Sequence, residues 1–107
     1  MAPSEQEIRD VAKRAAEVLR RDGWQPRPAQ SDRGPCCLLN ALGRVPEYAE
    51  RMAAGDRAML RARILRLTGC SGWGDSHMML ASWNDDIARP GDAISILERV
   101  ASGEGAP

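Results

Sequence analysis

Gly34-Pro35-Cys36-Cys37-Leu38-Leu39-Asn40-Ala41-Leu42-Gly43 is a short apolar run fenced by glycines. Pro35 suits the first position of a helix, where its missing amide leaves nothing unpaired. Cys37, Leu38, Ala41 and Leu42 then share one side of that helix. With Leu39 also apolar and Asn40 the single polar residue inside the run, the segment must be enclosed on most sides. It is too short to be stable alone. The spacing therefore predicts an interior helical peg, and the rest of the chain has to supply its walls.

The upstream wall is the plainest pattern in the chain. Ile8, Val11, Ala12, Ala15, Val18 and Leu19 recur at helical spacing along one side. Pro3-Ser4-Glu5-Gln6-Glu7 has the form of a capping box at its start. Gly23 supplies the left-handed residue at its end, with Trp24 placed to fold back on the last turn. Glu5 to Arg9, Asp10 to Arg14 and Glu17 to Arg21 stand four apart in the favourable order. From Gln25 to Gly34 the chain reads as a polar loop.

Downstream, Pro46 opens a turn of helix through Ala54, with Tyr48 and Met52 one turn apart. Asp56 is placed to cap a helix from Arg57 to Thr68, closed by Gly69. On it Leu60, Ile64 and Leu67 form one stripe, while Ala58, Met59, Ala62 and Leu65 spread over another side. Asp75 is placed to cap a short helix through Trp83, and the stretch from Asn84 to Gly91 turns the chain. Ala93, Ile94, Leu97, Val100 and Ala101 complete a last amphipathic helix, and residues 102–107 are expected to fray. No internal repeat or strand pattern is present. The fold class read from these patterns is all-α: a single domain, residues 1–107, built as a compact bundle of five or six short helices.

Composition agrees. A chain of 107 residues buries roughly two-thirds of its unfolded surface and needs no staple. Without Phe, and with one Tyr, the core must come from aliphatic residues, Met and Trp, a palette that favours helix. The formal net charge is zero, so no global field draws the chain to nucleic acid or anionic lipid. Met1-Ala2-Pro3-Ser4-Glu5 runs straight into charge, and no apolar run reaches the roughly 20 residues of a membrane span. Three cysteines, an odd number, argue against a secreted disulfide framework. A cytoplasmic protein without membrane contact is expected.

Three constellations could carry chemistry. Cys36 or Cys37 at a helix start, with His77 as base and Asn84 or Asp85 orienting it, would make a thiol catalyst. Against it, His77 is the single histidine, and a free Cys in an apolar helix behaves as a small core residue. Cys36, Cys37, Cys70 and His77 have the ligand types of a zinc site, but adjacent cysteines lack the spacing that grips one tetrahedral ion. No metal and no cofactor is expected. Arg57, Arg61, Arg63 and Arg66 follow a helix and Gly55, an order found in helix-turn-helix proteins. Arg57 and Arg61 flank one edge of the Leu60 stripe, Arg63 the other, and Arg66 lies nearly opposite, a pattern of snorkelling side chains and not one basic side. Trp83-Asn84-Asp85 reads as structural, with Asn84 and Asp85 bonding otherwise unpaired backbone groups. Trp73, in the glycine loop Gly69 to Gly74, reads equally as an interface anchor or as a lid folded back over the core.

Gly23-Trp24, then Cys37-Leu38-Leu39-Asn40-Ala41-Leu42, then Ala81-Ser82-Trp83-Asn84-Asp85 and a closing helix together resemble the DUF6197 family of small proteins of actinobacteria and their phages. The resemblance covers almost the whole chain. Two positions depart from the family pattern, which has Gly where Asn40 stands and a Thr-type cap where Pro90 stands. It implies a compact helical fold and a bacterial or phage origin, and no activity. The structural motif is then Trp24, Cys37, Leu38, Ala41, Leu42, Trp83, Asn84 and Asp85. The expected role is a non-enzymatic interaction or regulatory module. It would meet a protein partner, or a second copy, through Trp73, Ala58, Ala62, Leu65 and Arg66. An Arg-mediated nucleic-acid binder and a cysteine-dependent enzyme are the alternatives.

Overall fold

A computed structural model describes residues 5–70 and 75–106 of the chain. Its elements are α1 (Glu5–Asp22), α2 (Leu38–Gly43), α3 (Ala54–Thr68), α4 (Ser76–Ser82) and α5 (Asp92–Ala101). Two π-helical turns accompany them, π1 (Glu47–Arg51) and π2 (Trp83–Ile87), the second continuing α4 without a break. The protein is all-α, and no strand occurs among the described residues. The Ser4 cap and Trp73 lie outside those residues.

The long pairing is α1 against α5, with α2 lodged against α1 and α4, and α3 against α4 and α5. Each side chain of the α1 stripe is buried, Ala16 with them. Leu38, Ala41 and Leu42 of α2 have no exposed surface, and neither do Leu60, Ile64, Leu80 and Leu97 around them. The peg therefore sits inside one continuous apolar cluster that draws on every helix. From α5, Ile96 joins that cluster while Ile94 lies at its edge.

Three boundaries differ from the expected ones, each for a local reason. Pro35 does not begin α2. The backbone of Cys36 is instead paired in an isolated bridge with Trp24: Gln25 N donates to Cys36 O and Cys36 N to Gly23 O, both at 3.0 Å. An extended Cys36 cannot be helical, so the helix starts two residues later. Asp56 is not the cap of α3; Ala53 holds that position without a side-chain bond, and the helix begins at Ala54. The turn after Pro46 and the chain around Asn84 are π-helical, closed by Met52 N to Glu47 O at 2.9 Å and Ala88 N to Trp83 O at 2.8 Å. Gly69 ends α3 with φ 75°, and Asp75 caps α4 by accepting from Met78 N at 3.0 Å, both where expected.

Arg14 and Arg21 of α1 do not take the partners placed four residues before them, one reaching across the fold and the other taking its sequence neighbour. Glu5 pairs with Arg9 at 3.2 Å, but Arg14 reaches Glu47 and Arg21 takes Asp22. Arg63 is almost fully buried and binds both oxygens of Glu5, at 2.9 and 2.6 Å, fixing α3 to the start of α1. Arg44 bonds Asp22 at 2.8 Å. Residues 102–106, expected to fray, lie against α1 and α3: Arg66 Nη1 donates to the Gly105 carbonyl at 3.1 Å. At Gly105, with φ 81°, an added Cβ would stand 2.8 Å from the Arg63 carbonyl oxygen, so the tail crosses α3 at a place where only glycine fits.

These pairs make the fold acid-sensitive. The Arg63 guanidinium holds Glu5 down from 4.5 to about 2. Arg21, with Arg44, lowers Asp22 from 3.8 to about 2. Both folded values lie below the unfolded ones. Their contribution is complete at higher pH and is lost as pH falls through the interval from 4.5 to about 2. Urea midpoints measured at steps down that interval should fall, and Glu5→Gln should flatten the fall. A midpoint independent of pH there would contradict the pairing.

Candidate functional site

Asn84 is the most heavily bonded polar side chain in the interior. It has no exposed surface. Its Oδ1 accepts from Trp24 Nε1 at 2.8 Å and from Leu38 N at 3.0 Å. Its Nδ2 donates to Gln25 O and to Asp85 Oδ1, each at 3.2 Å. All four hydrogen-bonding positions of the carboxamide are thus used. Leu38 N is an orphan amide at the start of α2, so Asn84 caps the peg from the other side of the fold. At the same start the Cys37 sulfur accepts from Asn40 N at 3.4 Å and donates to Asn40 Oδ1 at 3.2 Å, while Ala29 N donates to that same oxygen at 2.8 Å.

The structure brings Trp24, Leu38, Asn84 and Asp85 into one network, with Trp83 buried beside them in π2. Asp85 departs from the expectation that it bonds a backbone group. It is exposed, and its role is to accept one bond from Asn84. The widened turn sends Trp83 and Asn84 inward as neighbours and leaves Asp85 at the surface.

The thiol and histidine do not converge. His77 is exposed on α4, whereas the Cys37 sulfur is buried and committed to Asn40. Burial pushes the Cys36 thiol above its ordinary value, which disfavours the nucleophilic thiolate. The described residues hold no group of three or more His, Cys, Asp or Glu able to share a metal ion.

The arginines of α3 are engaged inside the molecule. Arg57 donates to Met52 O at 3.0 Å and lies 6.0 Å from the Tyr48 ring. Arg61 bonds Tyr48 Oη at 2.8 Å and Ser76 Oγ at 3.2 Å. Arg63 and Arg66 hold Glu5 and the tail, as described. Ala58 and Ala62, on the side of α3 away from Leu60 and Ile64, are partly exposed, and Leu65 is partly exposed while it packs against the core. Large apolar side chains also reach solvent: Met59 is 45% exposed, Met78 66% and Ile87 59%.

One concavity passed unnoticed in the sequence. It measures about 350 Å³ and lies between the loop Ala29 to Asp32 and the outer side of α2, lined there by Leu39, Asn40, Gly43 and Arg44. Arg44 stitches its wall, Nη1 donating to Asp22 Oδ2 and to Gly34 O, and Nη2 to Ser31 O at 3.0 Å. The sequence signal was available: Asn40 is the one polar residue of the apolar run, and Gly43 weakens a helix end without being required there.

A family model described as a family of unknown function, DUF6197, matches residues 3–102. No curated protein and no solved structure matches the chain.

Proposed function

Because this chain belongs to the DUF6197 family, which carries no activity to transfer, we propose from its own geometry a non-catalytic module that binds another protein. The contact surface is the outward side of α3. The observation behind this reading is the division of labour on that helix. Leu60 and Ile64 are fully buried on one side and its four arginines are tied to internal partners, yet Ala58 and Ala62 stand partly open on the other, with Leu65 partly exposed while it packs against the core. Surface helices ordinarily turn charge to water there. Ala58 and Ala62 are one turn apart, and small side chains allow a partner helix to approach to about 8 Å between axes.

No comparable concentration of free basic groups supports the nucleic-acid alternative, since binding would have to break internal bonds of Arg57, Arg61, Arg63 or Arg66. The test is an Ala58→Arg, Ala62→Arg double variant, used as bait beside the wild-type chain in lysate of the native host. A folded variant that no longer retains proteins held by the wild type supports the reading. Identical retention by both sinks it.

A further inference from the structure

We infer that the concavity between the Ala29 to Asp32 loop and α2 is a binding site for a small zwitterion carrying a carboxylate and an ammonium group, such as an amino acid. The volume, about 350 Å³, falls at the low end of ligand sites, roughly 300–1,000 Å³. Its lining holds groups for both ends of such a molecule. Asn40 Oδ1 is occupied by Ala29 N and the Cys37 thiol, but its Nδ2 donates to no acceptor among the described residues. Arg44 uses both Nη1 hydrogens and one on Nη2, which leaves two of its five donors. Arg44 shares the Asp22 carboxylate with Arg21, so its own charge is only partly met by that partner. Those groups suit a carboxylate.

The opposite charge comes from Asp32. The neighbouring Ser31 carbonyl accepts from Arg44 Nη2, yet Asp32 forms no ion pair among the described residues. An exposed carboxylate without an ion pair, lining the same concavity as Arg44, is a partner for an incoming ammonium. Gly43 supplies the remaining argument. It does not adopt a left-handed conformation, and a Cβ there would meet nothing within 4 Å. Neither backbone nor packing calls for glycine, which is a poor helix residue; Gly43 is exposed and leaves the lining without a side chain next to Leu39.

The experiment is a titration of the full-length, ¹⁵N-labelled chain with glycine, acetate or methylammonium, followed by NMR. Glycine should shift the Asn40 side-chain amide and Arg44 Nε saturably, with Kd of about 1 mM given so few ligand atoms. Acetate and methylammonium, each with one of the two charges, should bind at least roughly tenfold more weakly. Asp32→Asn should bring glycine down to the level of acetate, and Gly43→Val should abolish the shifts by adding a side chain to the lining. If that valine variant fails to fold, the Asp32→Asn comparison decides alone. No saturable shift, glycine no tighter than acetate, or shifts that survive both substitutions would overturn the assignment.

Discussion

Asn84→Ala is expected to lower the unfolding free energy by about 3–5 kcal/mol, the largest loss of any single polar substitution in this chain. Alanine would leave the Leu38 amide and the Trp24 indole without acceptors and the Gln25 carbonyl without its donor. Each abandoned group costs on the order of 1–3 kcal/mol when water cannot reach it. Trp24 is only partly buried, which keeps the sum below the simple total. At about 4 °C per kcal/mol for a domain of this size, Tm should fall by roughly 12–20 °C. Trp24→Phe removes one donor alone and should cost about 1 kcal/mol. Asn84→Asp separates hydrogen bonding from shape. It keeps an acceptor for Leu38 N but sets a buried carboxylate against Asp85 Oδ1 and the Gln25 carbonyl, so this variant should recover stability as pH falls and it takes up a proton. An Asn84→Ala protein within about 1 kcal/mol of wild type would mean the network is ornamental.

The importance of Asn84 also shows where sequence reading stops. Apolar periodicity located α1, α3 and α5 because a stripe at helical spacing has one cheap solution, burial against another helix. Leu38, Ala41 and Leu42 were legible as a peg for the same reason. What periodicity cannot express is a bond between residues 46 positions apart, such as Asn84 to Leu38. The start of α2 depended on Cys36 pairing with Trp24, and that depends on how the loop closes, which local preferences do not contain. The ion pairs divide: Arg14 reaches across the fold to Glu47, which spacing along α1 does not contain, whereas Arg21 takes the adjacent Asp22, a local choice. In the candidate site, Asn40 was conspicuous as a polar residue, but the pocket needs Asp32 and Arg44 brought alongside it. That juxtaposition is a property of the loop's path over α2.

The second large effect concerns the peg itself. Leu42→Ala should cost about 3–4 kcal/mol, within the range for truncating a fully enclosed leucine. Leu42 has no exposed surface and belongs to a helix of six residues, whose own hydrogen bonds are too few to hold it in shape. Stability for such a helix comes from packing against α1 and α4, so a cavity there loosens three elements together. Met59→Ala is the natural control: its side chain is 45% exposed and its loss should stay under about 1 kcal/mol. Chemical denaturation of both variants gives the comparison directly, with the midpoint of Leu42→Ala falling far more than that of Met59→Ala. Equal midpoints would show that residues 38–43 are accessory to the core. The contact between α1 and α5 would then have to carry the fold by itself.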